Sequence, residues 1–217
     1  MLACKTRYAM PFDKISDSTN FVISFTSNPK GDFGVFAEGY TRAANQLAAS
    51  LLEAPRFADY EAYPVVFLYR HALELSLKQI IYAGSTLAAF RRMDEVNKKL
   101  QNNHRLVELS QTATRVLSSL FPNDEAHASL NTTVAAICKD WSEIDPDSYA
   151  YRYPIDKKGL ASTKQHQVVN LRELSTRMSS VLEDLDTVRF GLNIETDRAQ
   201  EVYEILEHFV SPQRRCY

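Results

Sequence analysis

Glycine, proline and cysteine are all scarce in this chain of 217 residues, and it has no long apolar run. Six glycines and eight prolines are too few for a loop-rich β-sandwich, and the three cysteines lie far apart with no Cys-x-x-Cys pair. Sparse, unpaired cysteines are typical of a reduced intracellular protein and give no zinc pattern. The densest apolar run, 64–69, is far shorter than the roughly 20 residues of a membrane span. We therefore predict a soluble, cytoplasmic protein without a membrane partner.

The chain has no strong charge of either sign. Its net charge is -2, from 25 basic and 27 acidic residues, so no global field attracts nucleic acid, and any such binding needs a local patch. Residues 151–170 carry four basic residues against one acidic, and residues 91–105 carry five against two. Residues 182–207 carry eight acidic against two basic. The acidic excess at 182–207 can repel RNA from the C-terminal face, or it can pair helices of opposite charge across a dimer interface.

Apolar residues recur at helical spacing along most of the chain after residue 31. The pattern predicts an all-α bundle of six or seven helices, with a long ordered loop at 145–164 before the penultimate helix. Proline and glycine mark the predicted helix ends: Pro55 ends the first helix, Gly84 ends the second and Gly191 ends the penultimate one. The predicted helices cover 34–54, 64–83 and 87–100, then a helix that Asn103 caps and Pro122 ends, then 124–142, a long helix over Leu171–Val188 that ends at Gly191, and about 196–210. In the last of these, Val202, Tyr203, Leu206 and Phe209 are predicted to face inward.

Residues 1–31 differ from the rest of the chain. Breakers such as Asn28-Pro29 and Gly31 predict an irregular segment, in which Phe21–Phe25 is a candidate short strand. Residues 32–217 are then predicted to form a single helical domain.

The second helix, 64–83, is the most informative element. It is apolar on most sides, which is typical of a helix at the centre of a bundle. Yet Arg70, His71, Glu74 and Lys78 fall within about 100° of its circumference. Arg70 and Glu74, and Glu74 and Lys78, are spaced i, i+4 for ion pairing. The stripe is either an ordinary solvated face or a polar seam at a cleft or dimer interface, and Glu74, between two cations, is expected to orient other groups rather than to act as a base.

Three segments in order resemble the HEPN (higher eukaryotes and prokaryotes nucleotide-binding) superfamily. Residues 34–54 resemble its Ala/Leu-patterned first helix. Ala72-Leu-Glu-Leu-Ser-Leu-Lys78 resembles the core of its second helix, and His104-Arg-Leu-Val-Glu-Leu109 the start of its third. The resemblance covers about 34–120, and it implies a helical bundle that often dimerises. It also implies an RNA-associated protein of bacterial stress, toxin–antitoxin or antiviral systems, active either as a metal-independent endoribonuclease or as an inactive binding module.

The chain departs from the catalytic motif of the active members. Their arginine, followed by four to six arbitrary residues and a histidine, has no counterpart here, since Arg70 and His71 are adjacent. Metal-free RNA cleavage needs a base, an acid and a cation for the phosphorane. Arg70, His71 and His104 supply these types if the second and third helices meet. The alternative is that His104 is a cap or a packed polar tip at the helix start.

The loop at 145–164 alternates tyrosines with polar residues and then becomes basic. Aromatic rings beside cations can stack bases and hold phosphates, and long ordered loops are often functional. Alternatively, the tyrosines fill gaps between helices and the lysines are merely solvated. The candidate ligand or RNA contacts, together with Glu74 and Lys78, are Tyr151, Arg152, Tyr153, Lys157 and Lys158.

No motif indicates a metal or a cofactor. The chain has no phosphate-binding glycine-rich loop and no Gly-x-Ser-x-Gly, and it lacks the repeated Glu-x-x-His elements of a di-metal bundle. We therefore expect an RNA-binding or RNA-cleaving protein that needs neither. The alternative is a catalytically inert helical dimerisation or protein-interaction module.

Overall fold

A computed structural model gives the fold. It describes residues 32–53, 59–93, 102–156, 158–163 and 168–210, with 207–210 described by their backbone only. The helices are α1 (Phe33–Glu53), one 3-10 turn (Asp59–Glu61), α2 (Ala62–Phe90), α3 (Leu106–Leu120), α4 (Glu125–Ile144) and α5 (Leu171–Val210). The all-α prediction is confirmed, with five α-helices in the described residues instead of six or seven. The candidate strand Phe21–Phe25 lies outside the described residues, and the single domain over 32–217 stays a prediction.

Helix α2 lies at the centre of the bundle and packs against α1, α3 and α5. Side chains on nearly every side of it are buried, as its apolar character on most sides predicts. Pro64 lies in its first turn, where the missing backbone N–H costs no helical hydrogen bond. Helix α4 packs against α3 and completes the core through Val134, Ile137, Cys138 and Trp141.

Polar contacts along α1 fix the directions of its neighbours. Near its C-terminal half, Asn45 Oδ1 accepts hydrogen bonds from the hydroxyls of Tyr69 (2.8 Å) and Ser179 (2.9 Å). Near its N-terminus, the Gly34 amide donates to Gln79 Oε1, and Gly34 lies beside Arg189. Helices α2 and α5 therefore run parallel to each other and antiparallel to α1.

The prediction that Gly84 ends the second helix is wrong. Helix α2 continues to Phe90, so the predicted helix 87–100 loses its first turn to α2, while 91–93 form a turn and 94–100 lie outside the described residues. Gly84 is buried where α2 crosses α3, and a Cβ placed there would overlap Val116 Cγ1. The glycine allows the two helices to pack closely. In the sequence alone, a glycine at a helix crossing cannot be distinguished from a glycine that ends a helix.

The prediction of two helices near the C-terminus is also wrong. Gly191 lies within α5, which runs unbroken for 40 residues, so among the described helices the long loop precedes the last one rather than the penultimate one. Interior glycine weakens a helix by about 1 kcal/mol but does not stop it when its neighbours are helical. None of the described helices, α5 included, is both long and apolar enough to cross a lipid bilayer.

The predicted inward residues at the end of α5 are not in the core. Val202, Tyr203 and Leu206 are exposed, although the Tyr203 ring lies 6.0 Å from that of Phe90. The side chain of Phe209 lies outside the described residues. The helical spacing was correctly predicted, but past Ala199, the last described α5 side chain packed against the core, the Val202 and Leu206 side chains are exposed.

Candidate functional site

The charged side chains of α2 form a buried ion cluster. The Glu74 carboxylate accepts a hydrogen bond from Arg70 Nη1 at 3.0 Å and one from Lys78 Nζ at 2.9 Å. Arg70 is fully buried, and Glu74 and Lys78 are 1% and 4% exposed. The solvated-face interpretation is therefore wrong for these three residues. The i, i+4 pairing was correctly predicted, but helix α3 and the loop after α4 cover the pairs.

Arg70 joins three separate parts of the chain. Its Nε lies 3.0 Å from Asp145 Oδ2, and its Nη2 donates to the His104 carbonyl at 2.9 Å. It therefore holds the start of α3 and the end of α4 against α2. Isolated buried charges cost several kcal/mol each, so these opposite charges must stay together for the fold to be stable.

Glu74 is the centre of the second half of the cluster. Burial alone would raise its pKa, but the Lys78 ammonium and the hydrogen bonds from Lys78 and His104 hold the pKa below its ordinary value. Glu74 is therefore ionised at neutral pH and acts as an acceptor. His104 Nδ1 lies 2.9 Å from Glu74 Oε1. Because an ionised carboxylate only accepts hydrogen bonds, Nδ1 carries the proton of the neutral imidazole ring and Nε2 carries none.

His104 is held at the surface rather than buried. Its side chain is 51% exposed, while its carbonyl and its Nδ1 are both fixed by the ion cluster. It does not cap α3: Arg105 occupies the N-cap position, and Asn103, predicted as the cap, accepts the Arg105 amide instead. A buried carboxylate on Nδ1 that orients an exposed imidazole is an arrangement suited to proton transfer.

His71 lies apart from the ion pairs although it neighbours Arg70 in sequence. Its ring stacks on Phe67 at 5.5 Å and meets the Tyr40 ring edge-on at 4.6 Å. Burial lowers the pKa of His71, and the positive charges of Arg152, Lys78 and Arg70 lower it further against the opposing effect of Glu74. His71 is therefore neutral at physiological pH. The Glu74 charge acts on both histidines, but His71 packs against the rings of Phe67 and Tyr40, whereas His104 contacts the Glu74 carboxylate.

The loop after α4 is shaped by Asp145. While Oδ2 pairs with Arg70, Oδ1 accepts the backbone amides of Tyr149 (2.8 Å) and Ala150 (3.0 Å). Arg152 Nε donates to the Ser148 carbonyl at 2.8 Å, where Ser148 has a positive φ of 62°. The buried cluster thus fixes the backbone from which Arg152 projects.

Arg152 lies among aromatic rings at the surface. Its guanidinium carbon is 5.3 Å from the ring centroid of Tyr149 and 5.6 Å from those of Phe67 and Tyr153. Since His71 stacks on the same Phe67, a surface of cation and rings runs from α2 to the loop. We call it the cation–aromatic surface; it consists of Phe67, His71, Tyr149, Arg152 and Tyr153.

The other predicted loop contacts have different environments. Tyr151 packs beside Trp141 and Tyr63, and burial raises its pKa to about 12, so it fills a gap between elements, as the alternative interpretation of the loop expected. Tyr153 is half exposed and Lys158 is exposed, whereas Lys157 lies outside the described residues. A cavity of about 320 Å³ opens between Tyr63 and residues 150–154.

Three important residues were not among the predicted site residues. Asp145 lies 75 positions from Arg70, and Phe67 and Tyr149 differ in no obvious way from core aromatics. The signal in the sequence was that Arg70 has five N–H donors, more than the Glu74 carboxylate can accept, so that if Arg70 is buried a further acceptor is needed.

In the described part of the chain, no group of three or more His, Cys, Asp or Glu side chains is placed to hold a metal ion. Chemistry at this site would rest on the imidazoles, the carboxylate and the arginines. Comparison of the chain with protein-family models, with curated proteins and with solved structures gave no match.

Proposed function

We propose that the chain binds single-stranded RNA at the cation–aromatic surface. The observation that supports the proposal is the position of the exposed Arg152, whose guanidinium lies 5.3–5.6 Å from the ring centroids of Phe67 on α2 and of Tyr149 and the half-exposed Tyr153 in the loop. Exposed rings stack bases regardless of sequence, and an arginine beside them contacts phosphate. The weak negative net charge does not oppose this, because a local patch is sufficient.

The resemblance to HEPN domains supports RNA as the nucleic acid. The same resemblance makes a role in bacterial stress or defence part of the proposal. It rests on the motifs at 72–78 and 104–109, and the structure brings their polar residues together: Glu74 bonds His104 across the contact between α2 and α3.

Metal-free cleavage of the bound RNA is the catalytic form of this proposal. The His104 side chain is half exposed and its Nδ1 is held by Glu74, so Nε2 is the group best suited to accept the 2′-hydroxyl proton as that oxygen attacks the phosphorus. The imidazolium formed would then give a proton to the leaving 5′-oxygen as its bond to phosphorus breaks. Arg70 is fully buried with protein acceptors, so its contribution would be to position His104 rather than to contact phosphate. The exposed cation in the proposal is Arg152.

Replacing Arg152 with alanine is expected to weaken RNA binding about tenfold, because a stacking and phosphate contact of this kind contributes about 1–3 kcal/mol. The measurement is fluorescence anisotropy of a labelled oligouridine at two salt concentrations, with wild-type affinity falling as salt rises. Arg115→Ala is the matched control, since Arg115 is an exposed arginine on α3 whose Nη2 donates to the Thr112 hydroxyl within its own helix turn. Wild-type protein that does not bind RNA, or Arg152→Ala and Arg115→Ala with equal affinity, would contradict the proposal.

The second candidate is a catalytically inert helical interaction module. It is favoured by the burial of Arg70, Glu74 and Lys78, which is what a purely structural ion cluster requires. A protein that binds no RNA at either salt concentration but associates with itself or with another protein would support this candidate.

A further inference from the structure

The loop after α4 and the start of α2 enclose a cavity beside the cation–aromatic surface. Its volume is about 320 Å³, and pockets that hold small molecules measure roughly 300–1,000 Å³. Tyr63 and Tyr151 line the cavity, and so do Arg152 and Tyr153, which also belong to the cation–aromatic surface. The cavity is therefore continuous with the surface at which RNA binding is proposed.

Tyrosine rings and a single cation give this cavity its chemical character. The centroids of the Tyr63 and Tyr151 rings are 6.0 Å apart, and Tyr63 is 43% exposed, so part of its ring surface is open to a ligand. Among the described residues that line the cavity, Arg152 alone carries a charge. Aromatic faces beside a guanidinium suit an uncharged planar ring that has a phosphate attached to it, which is the chemistry of a nucleotide.

Two hydroxyls in the lining distinguish between bases. The Ser162 hydroxyl directs its one proton to the carbonyls of Ala150 and Tyr153, so its oxygen can only accept from a ligand. The Thr163 hydroxyl lines the same cavity and is able to donate as well as accept. Adenine presents the N6 amino donor beside the N7 acceptor, which matches an acceptor beside a donor. Guanine presents two acceptors on that edge, O6 and N7, and would leave one of them unpaired against the Ser162 oxygen.

We infer that this cavity binds one base of the RNA strand and that it prefers adenine. The inference rests on the proposed RNA binding at the cation–aromatic surface and adds a base preference to it. A two-ring purine stacks on tyrosine over a larger area than a pyrimidine does, and the hydroxyls disfavour guanine. Because Arg152 Nε donates to the Ser148 carbonyl, its Nη atoms make the contact with the phosphate beside the bound base.

The test is fluorescence anisotropy with three labelled oligouridines that carry uracil, adenine or guanine at one central position. Wild-type protein is expected to bind the adenine oligonucleotide about tenfold more tightly than the other two, in line with the contribution of one well-stacked base. Adenosine monophosphate alone is expected to bind at least about tenfold more weakly than the adenine oligonucleotide, because it lacks the bases that stack on the cation–aromatic surface.

Variants of Tyr63 assign the preference to the cavity, since Tyr63 lines the cavity but is not part of the cation–aromatic surface. Tyr63→Ala is expected to bind the three oligonucleotides equally well, whereas Tyr63→Phe, which keeps the ring, is expected to keep the preference for adenine. Tyr60→Ala is the matched control, since Tyr60 is a 69% exposed tyrosine in the neighbouring 3-10 turn and lies outside the cavity lining. Unchanged circular dichroism melting curves check that the variants are folded.

The possible failures of this inference and of the proposed function are distinguishable. Equal affinity of the wild type for the three oligonucleotides would overturn the inference and leave the proposed RNA binding standing. A preference for adenine that persists in Tyr63→Ala would also overturn it, because the base would then bind elsewhere. Adenosine monophosphate that binds as tightly as the adenine oligonucleotide would overturn it in favour of a site for free nucleotides. A wild type that binds none of the oligonucleotides would overturn the proposed function and the inference together.

Discussion

Replacing Arg70 with alanine should lower the free energy of unfolding by about 3–5 kcal/mol, the cost of breaking a buried ion pair. Arg70 is fully buried, and its removal leaves Asp145 without the cation that it pairs with and leaves Glu74 with only one of its two cations, Lys78. It also leaves the His104 carbonyl without its donor. Urea denaturation followed by circular dichroism gives the value directly.

The matched control is Arg42→Ala. Arg42 also pairs with a glutamate four residues away, Glu38, but its side chain is 78% exposed. Exposed pairs of this kind contribute about 0–1 kcal/mol, so Arg42→Ala should unfold almost as the wild type does. Equal destabilisation by the two substitutions would show that the burial of Arg70 has been misassigned. Arg70→Lys keeps the positive charge but loses the planar guanidinium with its paired N–H donors. We expect it to lower the free energy of unfolding by an amount between those of Arg70→Ala and Arg42→Ala.

The second large effect is expected at Gly84. Alanine normally stabilises a helix interior by about 1 kcal/mol relative to glycine. At Gly84 the added Cβ would overlap Val116 Cγ1, a stiff β-branched side chain, so α2 and α3 must separate. We expect Gly84→Ala to destabilise the protein by about 1–3 kcal/mol, the usual cost of overpacking, as measured by urea denaturation.

Gly191→Ala tests the same substitution where there is room. Gly191 also lies within a helix, but no atom lies within 4 Å of an added Cβ, so alanine there should stabilise the protein by about 1 kcal/mol. Opposite signs at the two glycines are the expected result. Combining Gly84→Ala with Val116→Ala should recover part of the loss, whereas stabilisation by Gly84→Ala alone would contradict the close packing of α2 on α3.

Local patterns in the sequence were sufficient to predict the helices but not their ends. Apolar spacing predicted α1, α3 and α4 to within a few residues, because each presents one apolar stripe to the core. The two glycine errors have a common cause. Whether a glycine ends a helix or allows a close approach depends on a neighbouring helix, which a local pattern does not contain.

The candidate site was predicted only where its contacts are local. The pairs of Glu74 with Arg70 and Lys78 follow from spacing on one helix, whereas the contact of His104 with Glu74 was not predicted, because it depends on how the start of α3 lies against α2. The bond from Arg70 to Asp145 depends on how the bundle closes. No spacing rule predicts a contact between residues so distant in sequence, and so the burial of the cluster could not be predicted either.

The central claim is that the buried ion cluster, through Asp145, fixes the loop that carries Arg152. Two aspartates in this loop make a comparison within one protein. Asp145 Oδ1 accepts the amides of Tyr149 and Ala150 from within the core, and Asp156 Oδ1 accepts the amides of Lys158 and Leu160 in the exposed part of the loop. Their local hydrogen bonds are alike in pattern, so a difference in exchange reports the burial of Asp145 together with its pairing to Arg70.

The most direct test is therefore amide hydrogen exchange of the wild-type protein by NMR. The amides of Tyr149 and Ala150 are expected to exchange at least about tenfold more slowly than those of Lys158 and Leu160, after correction for intrinsic rates, because opening them requires disrupting the buried cluster. Comparable rates at the two aspartates would contradict the claim, since the loop would then open without the core.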